Sequence, residues 1–495
     1  MLLIYLPLLP AAGMLITPAF SLAHWQTLLS DTQLPQAMIA TLISTFLATG
    51  GALCIALLII ATLWPSATWQ RLASRLPWLL ALPHVAFATC ALLLFAEGGE
   101  LYYLLPQLSP LQDPYGIGLG IVLAIKESGF LLWVCWALLG EKRLAEQVVV
   151  FKSLGYGRGQ CLNHVILPAL IPSLGIALLA TAAWSLSVVD VAMIIGPSNP
   201  PTLAVLAWQW LNDFDPQNQI KGHLACLLLL VTLAAIVILT RLCWRLWRQR
   251  ITPITGIRYT YFPLLPGRCL SLLLPLCGLL CTLFLAWLAH DSLPDTETAS
   301  NSLWLALLSS LIGAVACLLW LEWGASRYHY GLYLPLLLPA LPLAAGQYQL
   351  ALYGCLDIHF ITILWGHLLW VVPWMLFVLH PAWKQLDPRQ FLLAQTLGWE
   401  RVRIFCQLKC PLMIRPLLSS LAVGFSVSIA QYLPTQWLGG GRFPTFTTEA
   451  VALSSGGAAS TLAIQALWQL LLPMLFFMLT ALLARRISQL RQGLR

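Results

Sequence analysis

The amino-acid sequence predicts an all-α polytopic membrane protein with about twelve transmembrane helices, arranged as two parallel six-span repeats. Three observations support this prediction: long apolar runs, very few charged residues, and a pattern that occurs twice along the chain. Of the 495 residues, 59% are hydrophobic and only 9% are charged, and the mean hydropathy is +0.82. Soluble domains carry about a quarter charged residues, so this chain is too poor in charge to cover a surface that faces water.

A transmembrane helix needs about 20 mainly apolar residues to cross the hydrocarbon core of a bilayer. The apolar runs are continuous rather than alternating, which excludes a closed β-barrel. The first run lacks a basic start and contains prolines, so we interpret it as a retained span and not as a cleaved signal peptide. The twelve predicted spans lie at residues 2–21, 36–64, 77–96, 115–139, 166–195, 221–240, 269–289, 302–321, 332–353, 358–379, 411–438 and 459–483.

The distribution of basic residues predicts the orientation of these spans. With the N-terminus inside, all but three of the 26 Lys and Arg residues fall in cytoplasmic segments, the exceptions being Lys126, Lys221 and Arg442. This positive-inside pattern predicts that both termini lie in the cytoplasm. It also explains the formal net charge of +8 by topology in the lipid bilayer, without a nucleic-acid partner.

The sequence predicts no cofactor, no metal site and no catalytic residue. The 13 cysteines form no disulfide or zinc framework, and most lie in apolar runs, where Cys behaves as a small hydrophobe. His84, His164, His367 and His380 show no paired spacing of metal ligands. We expect these histidines to make packing or polar contacts.

A polar segment with Gly and Pro occurs twice, and the two copies are 243 residues apart. The matches in an ungapped alignment include Leu154, Gly155, Arg158, Pro168 and Ser185 with Leu397, Gly398, Arg401, Pro411 and Ser428. Six spans separate the copies, so both face the same side and the repeat is parallel. We therefore predict a first half at 1–240 with a cytoplasmic loop at 141–165, a basic linker at 241–268, and a second half at 269–495 with a loop at 380–410.

The residue types in these loops predict a short helix held beneath the membrane. Gly155 and Gly398 are expected to end a helix in a tight turn, because Gly tolerates a positive φ. Pro168 and Pro411 suit the first turn of the following span, where a missing N–H costs little. Such a helix can dock in a groove of a soluble partner and transmit movement to the spans above it.

The spacing G-x9-V-I-L-P from Gly155 to Pro168 resembles the EAA loop of ABC-importer permeases, E-A-A-x3-G-x9-I-x-L-P, and the second copy keeps Gly398 and Pro411. The double-length chain is similar to the fused permeases of the iron(III) and thiamine type, including their YnjC-like branch. The resemblance implies a permease subunit in the bacterial inner membrane, importing a small solute for which thiamine-like compounds and ferric ion are candidates. It also implies a periplasmic substrate-binding protein and two copies of a separate ABC ATPase. The chain itself has no G-x-x-x-x-G-K-[ST] phosphate-binding motif and is not expected to be an enzyme.

Both loops depart from the family motif where it has a glutamate, since those positions hold Val149 and Leu392. Glu146, one turn upstream, is a substitute in the first loop only. Gln147 and Gln390 correspond in the repeat and are candidates for shared polar contacts with the ATPase. The complete predicted set of ATPase-coupling residues is Glu146, Gln147, Leu154, Gly155, Arg158, Pro168, Gln390, Leu397, Gly398, Arg401 and Pro411.

Polar residues within spans are costly and mark a candidate substrate path. Lys126 and Glu127 are adjacent in the fourth span, so they point about 100° apart and should pair with other spans. Asp190, about two turns from Trp184, suits a cationic aromatic solute through charge and cation–π attraction. The alternative is a structural Asp bonded to a neighbouring helix. Ser185 and Ser428, which match in the repeat, complete the candidate path.

The main alternative function is an ion-coupled secondary transporter of major-facilitator-like architecture, which also has twelve spans in two parallel halves. The basic, Gly-containing signature of that family follows its second span. Here the corresponding loop reads WPSATWQRLASRLPW and has no glycine. A membrane enzyme, the third class, would need carboxylates, histidines or metal ligands that converge at one face, and the sequence provides no such set.

Overall fold

The computed structural model describes residues 1–73, 82–102, 111–140, 142–250, 256, 258, 264–290, 292–324 and 330–492, and every regular element among them is helical. The first elements in chain order are α1 (Leu2–Tyr5), α2 (Leu8–Ala19), α3 (Leu22–Leu29), α4 (Leu34–Leu63), α5 (Ala67–Ala73), α6 (His84–Phe95), α7 (Ile117–Leu139), α8 (Lys142–Ser153), α9 (Arg158–Cys161), a π-helical turn (Leu162–Ile166), α10 (Leu167–Ser187), α11 (Asp190–Ile195), α12 (Leu203–Leu211) and α13 (Pro216–Arg250).

The second group begins at Leu265, within the predicted linker 241–268, of which residues 251–255, 257 and 259–263 lie outside the described residues. Its elements are α14 (Leu265–Leu288), α15 (Thr296–Trp323), a 3-10 turn (Tyr330–Tyr333), α16 (Leu334–Leu337), α17 (Ala340–Tyr353), α18 (Phe360–Lys384), α19 (Pro388–Thr396), α20 (Arg401–Ile404), a π-helical turn (Phe405–Lys409), α21 (Cys410–Leu412), α22 (Ile414–Ile429), α23 (Leu433–Gly439), α24 (Phe446–Leu453) and α25 (Ala459–Gln492).

The described residues contain seven unbroken helices that are long and apolar enough to cross a membrane, or ten spans when bent helix pairs are counted. The unbroken helices are α4, α7, α13, α14, α15, α18 and α25. The bent pairs are Leu3–Ala19 with Leu22–Leu29 (87°), Arg158–Ile171 with Leu174–Ser187 (72°), and Arg401–Leu412 with Ile414–Ile429 (75°). A polytopic helical membrane protein is therefore confirmed, whereas twelve continuous spans are not found.

Several predicted spans are wrong as single helices. The span predicted at 332–353 is divided between α16 and α17, because Pro339 has no N–H and pushes Leu338 into an extended conformation. The span predicted at 166–195 stops at Ser187, and α11 starts separately at Asp190. In the same way, the span predicted at 411–438 is split among α21, α22 and α23.

The span predicted at 77–96 is the short helix α6, which has 12 residues. Residues 77–81 of that prediction lie outside the described residues. Twelve helical residues rise about 18 Å, which is less than the roughly 30 Å of a hydrocarbon core. As described, α6 therefore does not cross the membrane by itself.

The helices that open the two predicted halves each pack against the other half. The α2 helix packs on α17, and just before α2 the Tyr5 hydroxyl donates to the Leu332 carbonyl at 2.7 Å. The α14 helix packs on α4, where Gly267 lies directly against Thr62. A Cβ on Gly267 would lie 2.5 Å from the Leu58 carbonyl oxygen, so only glycine permits this close approach. The two halves are thus joined by exchanged helices as well as by the chain.

Candidate functional site

The two predicted loops are built to the same plan. In the first, α8 is followed by a turn, then α9, a π-helical turn and α10. In the second, α19 is followed by a turn, then α20 and a second π-helical turn. The bounds of α9 (Arg158–Cys161) and of its π-helical turn recur, 243 residues later, as those of α20 (Arg401–Ile404) and the second π-helical turn. Single π-helical turns are rare in proteins, and those that occur are often found at functional sites. Because such a turn recurs at the same position, the loops repeat in backbone conformation as well as in sequence.

The turn that ends α8 and α19 is the same Schellman motif. Gly155 and Gly398 have φ angles of 89° and 81°, the positive values that Gly adopts readily. The Gly155 N–H donates to the carbonyl three residues back (2.9 Å), and the Tyr156 N–H donates to the carbonyl five residues back (3.2 Å). Gly398 and Trp399 repeat both bonds at 2.9 and 3.0 Å. This pairing closes the C-terminal end of a helix and fixes the direction in which the chain leaves it.

Each of the two short helices carries an exposed apolar face at matched positions. Val149, Val150 and Leu154 in the first loop correspond to Leu392, Leu393 and Leu397 in the second, and all six side chains are between 52% and 70% exposed. Val149 and Leu392 stand where the resembling motif has glutamate. Glu146, Gln147 and Gln390 are also exposed. An apolar patch presented twice is the usual sign of an interaction surface.

The first loop also borders an open groove of about 550 Å³. Glu146 and Gln147 line it from α8, and His164 lines it from the π-helical turn. The complete lining is Arg143, Glu146, Gln147, Val150, Phe151, His164 and Val165. The groove places a carboxylate, an amide and an imidazole beside the exposed apolar face.

The matched arginines fasten both loops to the spans above them. Arg158 donates from Nη1 to the carbonyl of Thr62, the second-to-last residue of α4. Arg401 donates from Nη2 to the carbonyl of Glu322, the second-to-last residue of α15. A guanidinium at a helix C-terminus satisfies a free carbonyl and opposes the negative end of the helix dipole. Both predicted arginines therefore hold corresponding helix ends.

In the second loop, an ion-pair cluster around a buried carboxylate adds to this contact, and the described residues of the first loop have no such cluster. The Glu322 carboxylate accepts from Arg401 Nε at 2.9 Å and from Lys409 Nζ at 2.5 Å. Its side chain is only 3% exposed. Glu322 is not among the site residues predicted from the sequence. The signal that could have indicated it is a lone carboxylate between Trp320 and Trp323, at the cytoplasmic end of the span predicted at 302–321.

The prolines and the outer turns of the repeat also occupy equivalent places. Pro168 and Pro411 are the second residues of α10 and α21, where a missing N–H is harmless. On the face opposite the loops, the first N–H of α12 donates to Thr41 Oγ1 at 2.8 Å. The first N–H of α24 donates to Ser302 Oγ at 3.0 Å. The repeat is therefore visible at both ends of the spans.

The candidate path residues Glu127 and Trp184 both contact His84, which was not predicted to belong to the path. Glu127 Oε1 lies 2.7 Å from His84 Nε2, and the His84 ring lies 4.1 Å from the Trp184 ring. Asp190, at the start of α11, is half-buried and lies within range of an electrostatic interaction with His84. Lys126 and Glu127 are both buried on α7. As expected, Glu127 finds its partner on another helix.

The second half instead holds a network of hydroxyl and amide groups around the buried His367. Its Nδ1 lies 2.8 Å from Ser428 Oγ, and its Nε2 lies 2.9 Å from Thr435 Oγ1. Gln431 donates to the His367 carbonyl at 3.1 Å. Ser185, the repeat partner of Ser428, is equally buried, but its hydroxyl has no hydrogen-bond partner among the described residues. The structure therefore brings Ser428 into a network and leaves Ser185 outside one. Within the described parts of the chain, no three His, Cys, Asp or Glu side chains are grouped to hold a metal ion.

Apolar spans joined by two structurally equivalent loops define a polytopic membrane permease. The chain is 59% identical over 492 residues to the inner membrane ABC transporter permease protein YnjC of Escherichia coli (strain K12), covering 99% of this chain and 96% of that protein. A shorter match, 28% identical over 107 residues, covers 22% of this chain and 37% of the spermidine/putrescine transport system permease protein PotC homolog of Mycoplasma genitalium. No protein-family model matches the sequence. At this identity and coverage, the chain belongs to the family of inner-membrane ABC transporter permeases.

Proposed function

We propose that the chain is the transmembrane subunit of an ATP-driven importer and forms the translocation path for a small solute. Each loop docks on one copy of a separate ABC ATPase subunit, which supplies the ATP hydrolysis. Closure of the ATPase pair moves α8 and α19 together and reorients the path. A periplasmic binding protein delivers the solute to the face opposite the loops.

The observation that carries this proposal is the duplicated, exposed apolar face of α8 and α19. A lone apolar patch would suit many partners. Two patches in one chain, with matched positions and matched Schellman turns, suit two copies of the same partner. The first relative is named as an ABC transporter permease, and permeases of the ABC class rely on a separate ATPase subunit for ATP hydrolysis.

The proposal includes two six-span halves, at residues 1–240 and 269–495, joined by the linker at 241–268. The contacts of Arg158 and Arg401 support this division at the loop face, and those of Thr41 and Ser302 support it at the opposite face. Arg258 of the linker lies beside Gly155, within about 3.0 Å of where a Cβ would be. The basic residues of the loops support a cytoplasmic location for the loops and for both termini.

We further propose that the solute is a cation. Two carboxylates, Glu127 and Asp190, lie in or beside the first-half cluster, and Trp184 provides an aromatic face. Lys126 opposes this preference, so the solute would meet both signs of charge. Thiamine-like compounds and ferric ion are cationic, and so are spermidine and putrescine, the solutes named for the Mycoplasma relative. Ser185 and Ser428 add hydroxyl groups to the same path.

Native mass spectrometry of the tagged chain, purified from native membranes in mild detergent, tests the assembly. The expected complex contains one chain and two copies of a nucleotide-binding ATPase. A monomer or homodimer without ATPase in several detergents would contradict the proposal and would instead favour an ion-coupled secondary transporter.

Uptake measurements with Asp190→Asn test the solute class. We expect this variant to lose discrimination in favour of cationic over neutral solutes, while the chain still inserts in the membrane. Asp213→Asn is the matched control, because Asp213 lies in an exposed turn before α13. Unchanged selectivity in Asp190→Asn would leave Asp190 with a structural role only.

A further inference from the structure

The second loop is attached to α15 through the buried carboxylate of Glu322. Glu322 lies near the end of α15, and its carboxylate binds Arg401 at the start of α20 and Lys409 at the end of the π-helical turn. A carboxylate this deeply buried is stable only when it is paired. Arg401 and Lys409 lie at the two ends of the segment 401–409, which connects α19 to the following span. The Glu322 side chain therefore binds both ends of that segment.

Lys409 extends the attachment to two further helices. Its ammonium lies 5.3 Å from the centre of the Trp383 ring, near the end of α18, and 5.0 Å from the centre of the Phe391 ring, on α19. Both contacts are within the range of cation–π attraction. Glu322 therefore connects α15, through Lys409, with α18 and with α19, the helix that carries the exposed apolar face.

Among the described residues, the corresponding joint in the first half contains no ion pair. Thr62 occupies the helix position of Glu322, and Ile166 stands at the repeat position of Lys409. Val148, the repeat partner of Phe391, and Ile166 are both almost completely buried among apolar neighbours. The carboxylate and the lysine are therefore absent together, and apolar packing replaces them. The arginine-to-carbonyl contact is the part that both halves share.

We propose that Glu322 is a positioning residue that holds α19 in its docking orientation, so that the second loop depends on an ionic anchor and the first loop does not. This inference rests on the proposed ATPase docking for its functional consequence. Its structural content, the dependence of one loop on one carboxylate, concerns this chain alone and can be measured without a partner.

Amide hydrogen exchange of the full chain in lipid nanodiscs tests the anchor directly. The variants are Glu322→Thr, the shape-conserving Glu322→Gln, and the double variant Glu322→Thr/Lys409→Ile, which installs the pair found in the first half. Each single variant removes the buried carboxylate that joins Arg401 to the partly buried Lys409, so the turn amides at Gly398 and Trp399 should exchange roughly tenfold faster or more. The double variant removes both charges and should recover most of the protection. The amides of Gly155 and Tyr156 in the first loop are the internal control for folding and should not change.

The number of ATPase copies bound, from native mass spectrometry of the same variants, tests the consequence. The single variants should retain one copy where the wild-type chain retains two, and the double variant should regain the second. Unchanged exchange in Glu322→Thr and Glu322→Gln overturns the anchor, and so does equal loss of protection in the single and double variants. Faster exchange with both ATPase copies retained overturns the positioning role. A wild-type chain that binds no ATPase overturns the proposed function, whereas the exchange result still decides the anchor.

Discussion

Truncating Leu397 should weaken the binding of one ATPase subunit without weakening the fold. The Leu397 side chain is 70% exposed, so Leu397→Ala removes few contacts within the chain, and such surface changes have small effects on folding. Full burial of a leucine side chain contributes about 1.5–3 kcal/mol. Burying the part that is still exposed would then contribute about 1–2 kcal/mol to docking. The dissociation constant should therefore rise roughly 5- to 30-fold.

The assay is a binding titration of the copurifying ATPase subunit against the chain in lipid nanodiscs. Leu272→Ala is the matched control. Leu272 is also 70% exposed, but it belongs to the apolar helix α14 and to neither loop. Leu154→Ala in the first loop should weaken binding at the other site in the same way, to a slightly smaller extent because Leu154 is less exposed.

Equal affinity of Leu397→Ala and the wild-type chain would refute the docking face. Equal weakening by Leu272→Ala would also refute it, because the effect would then come from exposed leucines in general. A fall in thermal stability that accompanies weaker binding would show that Leu397 contributes to the fold instead.

Three further predictions concern local structure. Gly398→Ala should speed amide exchange of the turn about 5- to 30-fold, because a non-glycine residue at φ 81° costs about 1–2 kcal/mol. The added Cβ meets no atom within 4 Å, so the backbone conformation alone accounts for this cost. Gly398→Asn should speed exchange less, and equal rates in the two variants would contradict this explanation. Ser302→Ala leaves the buried first N–H of α24 unpaired and should lower the thermal midpoint, at a cost of about 1–3 kcal/mol. The pKa of Asp213 is lowered by the backbone N–H of Asp215 and then by the Asn218 amide. A depressed pKa stabilises the turn above the ordinary value of about 3.9, and this stabilisation disappears as the pH falls through the native pKa. Asn218→Ala should raise the Asp213 pKa, which a carbon-13 titration of the labelled carboxylate would detect.

Local signals made the loop conformation predictable from sequence. Gly155 and Gly398 mark a helix end because few other residues accept a positive φ, and Pro168 and Pro411 mark the next helix start because proline lacks an N–H. These are properties of single residues and their immediate neighbours. Their recurrence at one spacing made the prediction stronger than either copy alone.

The breaks within spans were not predictable by the same reasoning. Hydropathy averages over about 19 residues, so an apolar segment that turns, such as the one around Leu338, looks the same as one that continues. The Glu322 cluster could not be predicted from the sequence for a different reason. Its partners Arg401 and Lys409 are 79 and 87 residues away in the chain, and no local pattern connects them.

The two halves share a backbone plan but differ in side-chain chemistry where a solute would pass. The α7 and α18 helices correspond in the repeat, yet Lys126 and Glu127 stand where α18 has Leu369 and Trp370. His367, the centre of the second-half network, stands where α7 has Ala124, the alanine that packs against Gly51. On the proposed path, a solute between these helices would therefore meet Lys126 and Glu127 on one side and the His367 imidazole with its hydroxyl partners on the other. Because two identical halves would present identical walls, this difference would select one orientation for an asymmetric solute on the proposed path.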